Sequence, residues 1–270
     1  MSLLESAAAD YARHRPGIPD AVVRLPADAL EGIGRPLLLS LGAGTGRVPS
    51  ALLPAVPRMA RLDLVVLDEG VLRGASARLP SVLPDGGATA FHPLLAEELT
   101  APHSGCGAHP VTCAPAFHRM SRPSVLTMAD RVTAPAAAVA VTGDGSPWTR
   151  PTPWKREWKQ LAQTCLGQER RAGTAGPYAA PGRRHEDDLR ESAFSDITVH
   201  RFPLHRTRTP AGVVGHLRGT SFARPASFGG QHARFGQGAH ALPEEQARHA
   251  GLVEDTVVAV LLARRPGAGR

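Results

Sequence analysis

The sequence predicts an α/β fold built on a parallel sheet, and three observations carry that reading. Short aliphatic runs of strand length alternate with segments of helical period. The first run, LLLSL at 37–41, breaks into three glycines within five positions, Gly42, Gly44 and Gly46, before aliphatics resume. The second run, LDLVVL at 62–67, ends at Asp68. Parallel strands joined by helices hold ligands at their carboxyl ends, so the residues just after each run are the candidates for function.

The elements follow in order. Residues 3–30 read as helical, with Pro26 interrupting the pattern. Pro36 precedes the strand at 37–41, whose length and glycine boundary mark it as buried. Pro49 falls near the first turn of the next helix, where a missing N–H costs little. After the strand at 62–67, Val71, Leu72, Ala75 and Leu79 form a helical stripe. Residues 88–91 are expected to form a third strand, and 109–117 a poor fourth one with Pro110 and Pro115 inside it. A helix over 124–132 and a fifth strand over 136–143 complete the first half. A proline-rich linker, GSPWTRPTP, opens the second half. Then come a helix over 153–171, a glycine-proline loop to about Gly182, a short acidic helix over 185–192 and a strand over 196–204. A helix over 210–219 and a strongly apolar strand over 253–265 close the chain, and there is no internal repeat.

Composition bounds the possibilities. With 270 residues, 42% of them hydrophobic, the chain can bury a sizeable core. Only 4% are aromatic, so leucine, valine and alanine must do most of the packing. No run of 18 uncharged apolar residues exists, which argues against a spanning helix and a membrane partner. The first residues, MSLLESAAADYARHR, carry acids early and lack the pattern of a signal peptide. Cys106, Cys113 and Cys165 have neither metal nor disulfide spacing, so no metal is expected, and a reduced cytoplasm is the expected compartment.

The net charge of +7 is unevenly spread. Residues 1–149 hold 12 basic and 13 acidic side chains, whereas residues 150–270 hold 19 and 11. Every basic residue except Lys155 and Lys159 is arginine. Two readings stay open: an arginine-rich solvated surface, or a basic half that faces an acidic small molecule. Arg201, Arg206, Arg208 and Arg218 are the arginines the second reading would use. No aromatic-basic pattern or binding motif points to nucleic acid.

A strand, a glycine loop and a helix in succession suit a nucleotide-like ligand, because bare backbone lets it approach closely. A nicotinamide site wants G-x-G-x-x-G, but counting from Gly42 the third glycine would fall on Arg47. The pattern here is G-x-G-x-G. Asp68 stands 22 positions after Gly46, where one carboxylate can accept both hydroxyls of a ribose, and Glu69 beside it could share that role. A glycine turn and a solvated acid are each ordinary alone. Together in one βαβ unit they read as a nucleoside site.

At these residues the chain resembles a family. LLLSLGAGTGR followed by LDLVVLDEGVLRGASARLP is similar to the opening motifs of class I S-adenosylmethionine-dependent methyltransferases. YARHRPGIP near the start, LLAEEL at 94–99, AFHRM at 116–120, AAVAVTGDGSPW and the closing VEDTVVAVLLARR extend the resemblance over most of the chain. The nearest branch is the small-molecule one that includes trans-aconitate methyltransferase-like enzymes. The resemblance implies a Rossmann-like seven-stranded, mostly parallel sheet with helices on both faces, the last strand antiparallel, and helical cap insertions. It implies one domain over 1–270, with a cofactor core in 1–149, a cap in 150–250 and the last strand in 253–265. The implied cofactor is S-adenosyl-L-methionine and the implied partner a small-molecule acceptor. Tyr11, Arg15, Gly42, Gly44, Gly46, Asp68, Glu69, Glu97 and Ala116 fall where the family binds the cofactor.

Two departures stand out. Ser40 occupies the position of an acid that in the family helps hold the methionine amino group, and the adenine-reading acid falls on Leu95, or on Glu97 if the register shifts. A repurposed member, either a cofactor binder or a non-methylating enzyme such as a cyclase, is therefore the alternative to a methyltransferase.

Methyl transfer from a sulfonium is an in-line displacement that needs proximity and alignment above all. A base is required only where the acceptor must lose a proton. His118, just past the fourth strand, is the candidate base, because histidine exchanges protons near neutral pH. Trp154 and Trp158 lie four apart, hence on one helix face; with Trp148 they form either that helix's core stripe or an aromatic wall over the acceptor.

Overall fold

The computed structural model describes residues 14, 17–101, 107–113, 115–143, 152–168, 182–218, 228–249 and 251–267. Tyr11, Arg15 and Trp148 lie outside them. Contacts divide the chain into two compact units. One holds residues 17–144, 181–202 and 258–270, the other 1–16, 145–180 and 203–257.

Seven strands form one sheet. They are β1 (Leu37–Leu41), β2 (Arg61–Val65), β3 (Ala88–His92), β4 (Ala108–Cys113), β5 (Thr133–Gly143), β6 (Asp196–Thr207) and β7 (Val253–Arg264). Their order across the sheet is β3-β2-β1-β4-β5-β7-β6. The pairs among β1 to β5 are parallel, and β7 is antiparallel to β5, with Ala138 opposite Arg264.

Helix α1 (Asp20–Asp28) precedes the sheet, α2 (Arg47–Leu52) follows β1, α3 (Glu69–Arg78) follows β2, and α4 (Arg122–Val132) follows β4. The period-2 alternation of the strands feeds two cores. Leu38, Leu62 and Leu64 pack with Val23, Leu30, Leu72, Ala75 and Leu79. Leu39, Leu41, Val65 and Val111 pack on the other side with Phe117, Leu126, Met128 and Phe194. Arg265 fastens the end of β7: its guanidinium donates to the Asp130 carboxylate at 2.6 and 2.9 Å and to the Ala134 carbonyl at 2.8 Å, and lies over the Phe194 ring.

Four expectations need correction. Pro26 does not interrupt its helix; it sits inside α1, buried near the end, where its missing N–H deprives only one carbonyl, a turn earlier, of its helical donor. The fourth strand is regular over six residues, and the sheet takes up Pro110, which has no N–H, through a shift of register between Ala108 and Pro110. Pro115 lies beyond that strand and opens a 3-10 turn, Pro115–Arg119. Strand β2 ends at Val65 rather than running to Leu67, which leaves Asp68 free to cap α3.

The other unit is helical. It contains α5 (Pro153–Leu166), α7 (Pro210–Arg218) and α8 (His232–His249); the short α6 (His185–Arg190) belongs with the first unit. Helix α5 stops five residues before its expected end, at Gly167 with φ of 90°, a left-handed conformation that suits glycine. Trp158, Ala162, Leu217, Phe228, Phe235 and Ala239 form one core, and Trp154, Val213 and Leu252 a smaller one. Trp154 and Trp158 are thus both buried on one face of α5, as a core stripe would be.

Candidate functional site

Register places the strand ends in one row. His92 pairs with Val65, Val65 with Leu41, Leu41 with Cys113, and Cys113 with Val141. The segments that follow β1, β2, β3 and β4 therefore leave the sheet at the same edge. They carry Gly42, Gly44 and Gly46, then Asp68 and Glu69, then Glu97, then Ala116 and His118. Sequence reasoning named all of these, and topology brings them together.

The three loop glycines differ in what surrounds them. All have positive φ, 56°, 56° and 72°. A Cβ on Gly42 would come within 2.6 Å of both Ala116 Cβ and Met120 Cε, so the loop packs directly on the turn after β4. A Cβ on Gly46 would meet Leu79 Cδ1 at 2.8 Å, which seats the loop against α3. At Gly44 nothing lies within 4 Å. Internal packing accounts for two of the glycines, and the third faces open space.

Beside it, Thr45 is buried and its hydroxyl has no hydrogen-bond partner among the described residues. A buried hydroxyl left unpaired is costly, so this one is suited to a bound group.

Asp68 does more than the sequence suggested. Its Oδ1 accepts the Val71 N–H at 2.9 Å and caps α3, leaving Oδ2 for a further donor. Glu69 is exposed, Glu97 is half-buried on the turn Ala96–Glu98, and Leu95 is 39% exposed. Ser40 is fully buried, and its Oγ accepts the Thr112 hydroxyl at 3.0 Å, a link between β1 and β4. The position that resembles the family's acid is thus committed inside the sheet.

His118 is exposed on the turn Pro115–Arg119. Between Ala116 and His118, buried Phe117 stacks on His185 with ring centroids 5.3 Å apart. Burial first, and then the Arg122 guanidinium, push the His185 pKa down, which favours the neutral imidazole. Its Nε2 is buried without a hydrogen-bond partner among the described residues. Sequence reasoning missed this residue, because HEDDLRES gives no local sign of the ring it meets. Cys113, at the end of β4, is inert: burial pushes its thiol up to about 12.

The arginines expected to meet an acidic molecule are partly committed elsewhere. Arg206 Nε lies 2.6 Å and Arg208 Nη1 3.2 Å from Glu254, and Arg218 Nη2 lies 2.9 Å from His240 Nε2. Arg201 is exposed. Among the described residues, no three metal-ligating side chains converge, and no helix is long and apolar enough to cross a membrane.

No protein-family model matches the chain, and no curated protein is similar to it in sequence. Solved structures are similar to it in fold. A protein of Anaeromyxobacter dehalogenans assigned as a type II methyltransferase superposes with a TM-score of 0.57 at 17% identity, over 93% of this chain and 97% of its own. One of Bacillus halodurans assigned as a methyltransferase gives 0.53 at 14% identity, over 90% and 98%. The YcgJ protein of Bacillus subtilis gives 0.52 at 15% identity, over 92% and 100%. Strand order, the antiparallel β7 and these likenesses lead to one conclusion: the chain has the Rossmann-like fold of the class I methyltransferases.

Proposed function

We propose that the protein is an S-adenosylmethionine-dependent methyltransferase acting on a small-molecule acceptor. The observation that carries this is Gly44, a left-handed residue over open space at the end of β1. When bound, the cofactor supplies an electrophilic methyl group on a sulfonium. The chain's own residues hold and align it. The loop from Gly42 to Gly46 offers backbone, the Thr45 hydroxyl offers a partner for a polar group, and Asp68 Oδ2 accepts from a ribose. Glu97 is the acid nearest in sequence to the adenine position that Leu95 vacates. His118 would take the proton from a hydroxyl or amine acceptor; a carboxylate acceptor needs no base.

Calorimetry with S-adenosylhomocysteine tests this reading. In Gly44→Ala the new Cβ enters open space, so the fold is destabilised only by left-handed strain, about 1–2 kcal/mol. Affinity should nevertheless fall at least ~10-fold as the methyl obstructs close approach of the ligand. A variant that binds as tightly as the parent makes the loop a turn and nothing more. Asp68→Asn keeps an oxygen for the Val71 N–H but removes the charge, and should weaken binding by about 1.5–3 kcal/mol with little change in Tm. Equal affinity in that variant removes Asp68 from the site.

A second reading rests on Ser40. Its hydroxyl is spent on Thr112, so one polar anchor of the family is missing. A parent that binds S-adenosylhomocysteine yet methylates nothing in a broad acceptor screen would favour a repurposed cofactor binder.

A further inference from the structure

Of the chain's four methionines, Met59, Met120 and Met128 lie among the described residues. Met59 is 1% exposed and Met128 fully buried, each inside a core, whereas Met120 is half-buried at the border of one. Met120 directly follows the turn Pro115–Arg119, and its N–H donates to the Phe117 carbonyl at 3.2 Å. Its thioether methyl lies against the glycine loop: a Cβ on Gly42 would stand 2.6 Å from Met120 Cε.

A thioether takes up an oxygen atom where an oxidant can reach it, and burial protects Met59 and Met128. The contact with Gly42 is carbon on carbon, with Ala116 Cβ beside it. A sulfoxide is larger and polar, and its oxygen needs a donor that such a contact does not supply. Gly42 opens the loop at φ of 56°, so a shift there is carried toward Gly44. Cys113, at the same strand end, is 1% exposed, and Cys165 belongs to the other unit.

We propose that Met120 is a reversible oxidation site whose sulfoxide loosens the glycine loop from the turn after β4. Hydrogen peroxide supplies the oxygen: the sulfur lone pair takes one oxygen atom, the O–O bond breaks, and the other oxygen leaves as water. Sulfur is oxidised and peroxide reduced. A dithiol reductase reverses the step, releasing that oxygen as water while its two thiols close to a disulfide. The effect on the loop stands without any cofactor; only its consequence for cofactor affinity rests on the proposed methyl transfer.

In a Cys106→Ser, Cys165→Ser background, the protein is treated with peroxide and its peptides are mapped by mass. Met120 should gain one oxygen at least ~10-fold faster than Met59 or Met128. Equal rates at the three, or slower oxidation of Met120, overturn the proposal, and this arm needs no variant at Met120. Hydrogen exchange then reads the loop in the absence of ligand. The peptide over 37–52 should exchange at least ~5-fold faster after oxidation, and methionine sulfoxide reductase should restore the original rate. Met120→Leu keeps an apolar contact and should exchange alike before and after peroxide. No change in the oxidised parent, or the same acceleration in Met120→Leu, overturns the proposal. Calorimetry separates this from the proposed function: affinity for S-adenosylhomocysteine should fall at least ~5-fold on oxidation. Affinity that oxidation leaves unchanged overturns the hold of Met120 on the loop. A reduced parent that binds no S-adenosylhomocysteine fails the methyltransferase reading instead, and the exchange rates alone then decide Met120.

Discussion

Asp63 and Glu254 are both buried carboxylates, 4% and 5% exposed, yet they sit in opposite electrostatic settings. Asp63 of β2 accepts from Arg61 Nε at 2.9 Å and from His92 Nε2 at 2.8 Å. Burial raises its pKa, but the hydrogen bonds from His92 and Arg61 outweigh burial and hold the carboxyl below its ordinary value. The Glu254 carboxyl is likewise raised by burial and then drawn down to about 2 by the bonds from Arg206 and Lys155. Asp63 faces one arginine and one imidazole, and the charges close locally. Glu254 faces a lysine and two arginines, two of the three buried. The comparison teaches that ionisation of a buried acid says little by itself; the number of cations that depend on it tells how much of the local structure its charge holds together.

The largest expected effect comes from Glu254→Gln. It removes the charged partner that Lys155, Arg206 and Arg208 share, which should cost about 3–5 kcal/mol and appear as a large fall in Tm. Linkage fixes the pH dependence. A depressed glutamate contributes stability above its ordinary value of 4.5 and loses it as pH falls toward about 2. Acid unfolding of the parent between those values should therefore be blunted in Glu254→Gln. If the variant matches the parent throughout, the cluster contributes nothing and the contrast between the two acids dissolves.

Asp63→Asn should cost less, about 1–3 kcal/mol, because the amide oxygen keeps one acceptor and only one permanent cation is stranded. Denaturant unfolding of both variants side by side ranks them. A loss at Asp63 as large as at Glu254 would mean that partner count does not set the difference.

How much of this was legible in the sequence depends on how local each cause is. Strand β1 is found at the expected residues, because a short aliphatic run between Pro36 and Gly42 carries both its boundaries. The site edge was legible for the same reason: glycines and an acid at fixed offsets from strands specify a place in a βαβ unit. Helix α8 was not foreseen. Gly236, Gly238 and Pro243 argue against a helix locally, and the reason for Gly238 is tertiary. A Cβ there would meet Leu161 Cδ1 at 2.8 Å, so the glycine lets α8 approach α5. The fates of Arg206 and Arg208 were illegible too, since their partner lies 48 and 46 positions away. Asp68 was seen as a ligand acid and not as a cap, because one carboxylate with two oxygens can be both.

The place of β7 has a consequence for how the molecule folds. It is the last described strand, yet it sits between β5 and β6. Strands β1 to β5 lie within one stretch of chain and can assemble early, whereas β7 must return across everything between Gly143 and Val253. Closure of so long a loop slows the pairing. Until it happens, β5 offers the apolar edge of Ala137, Ala138, Val139, Ala140 and Val141 with nothing beside it. Such an edge recruits strands from other chains. The time before Arg265 locks onto Asp130 is thus the interval in which the nascent protein is most exposed to aggregation, and a chaperone that shields β5 would raise its yield.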